Sequence, residues 1–131
     1  MNVNHYLTKH GIKPSYQRMK IMEYLLNNKN HPTVDNIHKD LIKVIPTLSK
    51  TTVYNTLNLF AKQNVVQIIN IENNEVRYDG NVSFHGHFKC EKCGKIYDFN
   101  IKSNDLNFEQ IEEFEIKHTD IYLKGICKKC K

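Results

Sequence analysis

The pattern that decides the fold lies in residues 49–78, SKTTVYNTLNLFAKQNVVQIINIENNEVRY. Up to about Asn64 the apolar residues recur every three or four positions, which predicts an amphipathic helix capped by Ser49 whose buried stripe is Val53, Leu57, Phe60 and Ala61. From Val65 onward, β-branched and apolar residues follow one another and predict a strand, and a second such run begins at Val76. The segment between the two runs, Glu72-Asn73-Asn74-Glu75, predicts a hairpin turn. The stretch is therefore interpreted as a helix followed by a two-stranded wing.

Upstream of this stretch the sequence predicts three more helices. Residues 1–10 form a short one, and Ser15 caps a second. Thr33 caps a third that stops before Pro46, with its apolar stripe at Val34, Ile37, Leu41 and Val44. Helices followed by a hairpin are the element order of a winged helix, in which the last helix enters the major groove of DNA. An ordinary amphipathic helix with a solvated polar face is the alternative interpretation.

The candidate DNA contacts are polar side chains on the fourth predicted helix and at the start of the second. Their hydrogen-bonding groups and positive charges suit base edges and phosphates. They are Arg18, Lys50, Thr51, Tyr54, Asn55, Asn58 and Lys62. Residues 1–64 carry nine Lys and Arg against three Asp and Glu, whereas residues 65–131 carry ten against eleven. A basic N-terminal half favours a polyanion as partner.

The C-terminal half predicts a small α/β unit. Two strands are expected at 85–89 and 95–99, a short helix between Leu106 and Phe114, and a long final strand over 115–126. A unit of this size is expected to share its core with a second copy of the chain.

The predicted fold class is thus α+β, with an N-terminal winged-helix DNA-binding domain and a C-terminal α/β dimerisation domain. The expected boundaries are 1–79 for the first domain, 80–84 for a hinge, and 85–131 for the dimerisation and metal-binding domain. Neither a secretory signal nor a membrane span is evident, so a cytoplasmic location is expected.

Four cysteines form two pairs with two-residue spacers, Cys90/Cys93 and Cys127/Cys130. Without a secretory signal, disulfides are not expected. Two such pairs are typical of a zinc ion held by four thiolates, a site with no open position and hence a structural role for one Zn2+ per subunit. A redox-active pair or free thiols are the alternatives.

Histidines and aspartates provide a second set of potential ligands. His85 and His87 are two positions apart on a predicted strand and so face the same side, and Asp98 lies on the next strand. These three residues and a water would also suit a catalytic zinc, so a zinc enzyme is an alternative from another functional class. Spacing alone does not join His31 or Asp79 to this group.

Together these motifs resemble the ferric uptake regulator family, and within it the peroxide-responsive regulators. The matching segments are Gln17-Arg18, His31-Pro32-Thr33, residues 51–57, Arg77-Tyr78-Asp79, residues 85–99 and the terminal cysteine pair. The resemblance implies a homodimeric, metal-dependent transcriptional repressor, with no enzymatic turnover. Its partner would be a double-stranded DNA operator with inverted-repeat half-sites. It also implies a regulatory Fe2+ or Mn2+ ion, one per subunit, bound by His31, Asp79, His85, His87 and Asp98.

Two positions bear on what such a repressor would sense. Asp98 resembles the peroxide sensors, since iron sensors usually have Glu there, and Gly86 stands where iron sensors often have the Asp of an additional metal site. The resemblance implies iron-catalysed oxidation of a ligating histidine by hydrogen peroxide, with His31 and His85 as the matching positions. A repressor that senses iron, manganese or zinc by site occupancy alone is the alternative. His118 is expected to be a sheet or surface residue.

Overall fold

The computed structural model describes residues 1–72, 75–102 and 106–131. Within these ranges the chain folds into two compact units, residues 1–82 and residues 83–131. The first unit contains helices and a two-stranded sheet and the second a three-stranded sheet, so the fold is α+β as predicted. In the part of the chain that is described, no helix has the length and apolar character needed to cross a membrane.

The described part of the first unit contains four α-helices. They are α1 (Val3–Lys9), α2 (Tyr16–Asn27), α3 (Val34–Leu41) and α4 (Lys50–Lys62). Three predicted caps are confirmed, because the side chains of Ser15, Thr33 and Ser49 each accept a hydrogen bond from the amide three residues later. Each cap satisfies an amide that the helix itself leaves without a partner.

The hairpin after α4 is the predicted wing. Its strands β1 (Gln67–Glu72) and β2 (Glu75–Asp79) pair antiparallel, with Gln67 opposite Asp79. The helix ends at Lys62, and Asn64, two residues later, has a φ of +61°, the left-handed conformation that follows many helices. The two central residues of the predicted turn, Asn73 and Asn74, lie outside the described residues.

The apolar stripes of the helices form the core of the first unit. Val53, Leu57 and Phe60 of α4, all predicted to be buried, are fully inaccessible to solvent. Burial of each Leu or Phe side chain contributes roughly 1.5–3 kcal/mol, which fixes the face that α4 turns inward. The same prediction was wrong for Val44, which is 57% exposed. The helix ends at Leu41, and the turn after it takes Val44 off the buried face.

The second unit is built around strand β3 (Gly86–Cys90). This strand pairs antiparallel with β4 (Ile96–Phe99) and parallel with β5 (Tyr122–Gly125), giving the order β4-β3-β5. Among the described residues of this unit, few apolar side chains are buried. They are Cys90, Ile96 and Cys127. Since so small a core seldom stabilises a domain, this unit needs an additional source of stability, such as a structural metal ion or association with a second copy.

Two elements predicted for the second unit are shorter than expected. The helix predicted between Leu106 and Phe114 is a three-residue 3-10 helix, Glu109–Ile111, because Phe108 provides no side-chain cap for its start. The final strand predicted over 115–126 is confined to β5, because its ladder with β3 extends only along His87–Cys90.

Candidate metal centres and DNA-facing surface

The four cysteines of the second unit converge. Cys90 ends β3, Cys93 lies in the turn that follows, and Cys127 and Cys130 come after β5. The four sulfurs lie within 4.8 Å of one another, and the Sγ atoms of Cys93 and Cys127 are 3.9 Å apart. Zinc–sulfur bonds of about 2.3 Å in a tetrahedron place the sulfurs about 3.8 Å apart. The arrangement therefore fits a Zn2+ ion bound by four thiolates.

Hydrogen-bond donors around this cluster favour the thiolate form of two cysteines. The amides of Cys93 and Cys127 both donate to Cys90 Sγ at 3.4 Å, which lowers the pKa of Cys90 to about 6. The Tyr97 hydroxyl donates to Cys127 Sγ, which lowers the pKa of Cys127 and raises the pKa of Tyr97 to about 12. Because the thiolate is the form that binds metal, these donors prepare the cluster for a cation.

A histidine–carboxylate group lies at the start of β3. His85 and His87 are buried, and their ring centroids are 4.5 Å apart. Asp98 faces them from β4, because it is the direct partner of His87 in the strand register. Asp98 Oδ1 is 3.6 Å from His85 Nε2 and 3.4 Å from His87 Nε2. His85 Nδ1 donates to the Ser83 carbonyl at 2.6 Å, which leaves Nε2 as the nitrogen with a lone pair for a metal.

The first unit contains its own histidine–carboxylate pair, His31 and Asp79. Both side chains are buried, and His31 Nε2 is 3.5 Å from Asp79 Oδ2. Arg77 Nη1 donates to the His31 carbonyl at 3.2 Å, and the Asn81 amide donates to Asp79 Oδ1 at 2.9 Å. His31 has a φ of +57°, a conformation that non-glycine residues seldom adopt and that occurs often at functional sites. The pair is thus held in place by backbone contacts from both sides.

The candidate DNA contacts on α4 are all exposed and lie opposite its buried stripe. They are Lys50, Thr51, Tyr54, Asn55, Asn58 and Lys62. Tyr54 is 52% exposed. Lys50 Nζ is 3.1 Å from Asp35 Oδ1, in an ion pair so exposed that it contributes little to stability. Arg18 of α2 lines a surface cleft together with Asn55 of α4, so a cation lies beside the exposed face.

Comparison with protein families matches nearly the whole chain. The model of the ferric uptake regulator family matches residues 9–124. The chain belongs to the ferric uptake regulator family. Members of this family are transcriptional regulators.

Known relatives within the ferric uptake regulator family are named as peroxide-responsive repressors. PerR of Staphylococcus epidermidis is 36% identical over 129 residues, which cover 95% of this chain and 85% of the relative. PerR of Staphylococcus aureus strain Mu50 is 33% identical over 128 residues, covering 95% and 86%.

Solved structures of the ferric uptake regulator family share the fold. The Helicobacter pylori regulator Fur, described as having three functional metal binding sites, gives a TM-score of 0.78 at 25% identity and covers 98% of this chain and 88% of its own. The Francisella tularensis regulator, solved with iron, gives 0.76 at 26% identity and covers 92% and 95%. PerR of Streptococcus pyogenes, described in terms of peroxide sensing and gene regulation, gives 0.56 at 30% identity and covers 99% and 91%.

His118 is a surface residue of the second unit. Its side chain is 77% exposed, and its Nε2 is 3.1 Å from Asp120 Oδ1. This surface position agrees with the expectation from the sequence and makes His118 a suitable control residue.

Sequence reasoning missed the residues that contact the candidate ligands in this member of the ferric uptake regulator family. Tyr97, Ser83 and Arg77 each contact a ligand residue through a hydroxyl, a carbonyl or a guanidinium. Only Tyr97 had a usable signal in the sequence. Because neighbours on a strand face opposite sides, Tyr97 is expected on the face opposite Asp98 and hence away from the histidine group. No spacing rule predicts the other two contacts.

We expect Tyr97→Phe to keep the fold and the zinc but to weaken zinc binding about tenfold. The reason is that hydrogen-bond partners of metal ligands are worth about 10–100-fold in affinity. Equilibrium competition with a chelator of known affinity measures the change. Tyr16→Phe, at an exposed position in the first unit, serves as the control and should bind zinc like the wild type. Equal affinities for Tyr97→Phe and the wild type would contradict a role for the hydroxyl.

Proposed function

We propose that this chain is a homodimeric, metal-dependent transcriptional repressor that senses hydrogen peroxide through oxidation of a histidine ligand. The observation that carries the proposal is that buried histidines face a carboxylate in each unit, His31 with Asp79 and the pair His85/His87 with Asp98. The relatives named PerR support peroxide as the stimulus. The proposed partner is a double-stranded operator with inverted-repeat half-sites, and the proposed location is the cytoplasm.

We expect both groups to bind the same regulatory ion, Fe2+ or Mn2+. The first unit would contribute two ligands and the second three, and neither number alone makes a complete set for these ions. Nitrogen and oxygen donors suit Fe2+ and Mn2+, whereas the four thiolates suit Zn2+. Two carboxylates would neutralise the charge of a divalent cation.

Ligands from both units would couple metal binding to DNA binding. An ion held by all five side chains would restrict the angle between the winged helix and the dimerisation unit. In a symmetric dimer this angle sets the separation of the two α4 helices, and DNA with two half-sites accepts only some separations. By linkage, the metal would then favour DNA binding and DNA would favour metal binding by the same factor.

Peroxide sensing requires a ligand that is itself modified. A bound Fe2+ would provide the redox chemistry that activates hydrogen peroxide, and the histidine would supply the two electrons of the net reaction. In the net reaction the Cε1–H group of His31 or His85 and one hydrogen peroxide molecule give a ring carbonyl, with the hydrogen moved to a ring nitrogen, and one water molecule. The 2-oxo ring lacks the basic nitrogen lone pair of imidazole, so it is a weaker ligand and repression ends. Each subunit reacts once, which makes the protein a sensor without turnover.

Peptide mass spectrometry after brief exposure to hydrogen peroxide tests this proposal, with Fe2+-loaded and Mn2+-loaded protein compared. We expect a gain of one oxygen atom at His31 or His85 in the iron form and none in the manganese form, because Mn2+ does not readily reduce peroxide. His118 is the internal control, since it is more exposed than either ligand and should stay unmodified. Absence of the gain in protein verified to hold iron would contradict peroxide sensing and favour a repressor that responds to metal occupancy alone.

A further inference from the structure

Gly86 lies between two of the candidate ligands, His85 and His87, and the structure leaves no room for a side chain there. A Cβ atom at this position would lie 2.3 Å from Phe99 Cζ, and 2.6 and 2.8 Å from the two Cε atoms of the same ring. Contacts below 3.0 Å are essentially never seen for real Cβ atoms, so the aromatic ring rests directly on the glycine backbone.

The strand register explains why this contact bears on the ligand group. Gly86 and Phe99 are direct partners in the β3–β4 ladder, one pair along from His87 and Asp98. Because neighbours on a strand face opposite sides, the ring covers the reverse face of the ligand-bearing strands. Phe99 also follows Asp98 directly in the chain, so a shift of the ring moves the peptide that carries the carboxylate.

We propose that Gly86 and Phe99 are a positioning pair that sets the distance between the two imidazoles and the Asp98 carboxylate. An aromatic side chain packed on a cross-strand glycine stabilises the pairing of the two strands at that position. The ligand atoms are 3.4 and 3.6 Å apart, and metal–ligand distances tolerate only about 0.2 Å of variation. A small displacement of β4 against β3 therefore removes the geometry that binds an ion. The inference rests on the proposed function, in that this group binds the regulatory metal.

The pair also restricts where ligands can lie on β3. Any side chain at position 86 would displace the Phe99 ring, so the reverse face of the strand offers no further carboxylate at that point. Position 86 therefore adds no ligand to the candidate set of His85, His87 and Asp98.

Gly86→Ala in the full-length, zinc-loaded protein tests the pair. We expect its affinity for Mn2+ to fall about 10–100-fold, the range seen when residues that orient metal ligands are lost. The visible absorption spectrum of Co2+ bound at the same site should change, since its intensity depends on coordination geometry. Zinc at the four cysteines should stay at one ion per subunit, which separates a local effect from unfolding.

Phe99→Leu provides the matched second variant, because it removes the outer edge of the ring and adds no atom. We expect it to weaken Mn2+ binding by itself and to alter the Co2+ spectrum. In the double variant, Gly86→Ala should cost little beyond the loss caused by Phe99→Leu, since the clash is gone; such non-additivity is the signature of direct coupling. If Gly86→Ala does not fold, Phe99→Leu alone decides the question.

The outcomes separate this inference from the proposed function. His87→Ala should lose Mn2+ binding, and if it binds like the wild type the proposed regulatory site itself is contradicted. If His87→Ala loses the ion while Gly86→Ala and Phe99→Leu bind it normally, the ligand site stands and the positioning role is overturned. Strictly additive losses in the double variant, or loss of zinc from Phe99→Leu, would also overturn the role.

Discussion

Cys127→Ser is expected to abolish zinc binding and unfold the second unit. Cys127 is buried, and a serine hydroxyl does not replace a thiolate as a zinc ligand. Structural zinc contributes about 10–16 kcal/mol in small zinc-dependent domains, far more than the few buried apolar side chains of this unit supply. A loss of this size is comparable to or larger than the whole stability of an ordinary domain, about 5–15 kcal/mol.

Zinc content, near-UV circular dichroism and sedimentation equilibrium measure this result together. Zinc should be absent, the tyrosine signals of the second unit should be lost, and the protein should sediment as a monomer. Lys128→Ser, at the exposed neighbouring position, is the matched control and should retain zinc. A Cys127→Ser protein that stays a folded dimer with one zinc ion per subunit would show that the cluster has no structural role.

His87→Ala is expected to abolish metal-dependent DNA binding while leaving the fold intact. His87 is buried and lies directly opposite Asp98, so its loss removes one donor and leaves the carboxylate without its cross-strand imidazole. Loss of a residue that merely orients a ligand costs about 10–100-fold in metal affinity, so loss of the ligand should cost at least about 100-fold. Zinc at the four cysteines should be unaffected.

Calorimetric titration with Mn2+ measures the affinity, and gel-shift titration measures DNA binding. The DNA is selected from a random pool by the Mn2+-loaded wild type, so the operator sequence need not be known in advance. His118→Ala, an exposed histidine of the same unit, is the control and should match the wild type in both assays. If His87→Ala bound the selected DNA with unchanged metal dependence, the histidine–carboxylate group would have no part in regulation.

Local signals account for the first unit. The three helix caps could be predicted because each capping hydrogen bond joins residues only three positions apart. The capping residues are Ser15, Thr33 and Ser49. Helical spacing likewise predicts burial of Leu57 and Phe60, since residues three or four apart share a face. The change from the predicted fourth helix to the wing was also visible, because the spacing of apolar residues changes there from a helical to a strand pattern. The prediction missed Val44 because a helix end depends on the turn that follows it.

The second unit depends on contacts between residues far apart in the chain. The final strand was predicted too long because local sequence indicates only a capacity to pair, whereas pairing itself requires a partner strand of sufficient length. β3 offers that partner only over its last four residues. The predicted short helix was wrong for a comparable reason, since its apolar spacing took no account of the missing cap at Phe108.

Residue type and spacing are enough to identify the candidate ligands. Two cysteine pairs, two histidines on one strand face and an aspartate on the next strand can all be read in the sequence. Their distances come from the fold, which brings Tyr97 to Cys127, Asp98 to within 3.6 Å of both imidazoles, and Phe99 onto Gly86. Periodicity records the direction of a side chain, whereas distances between strands are set by the packing of all their neighbours at once.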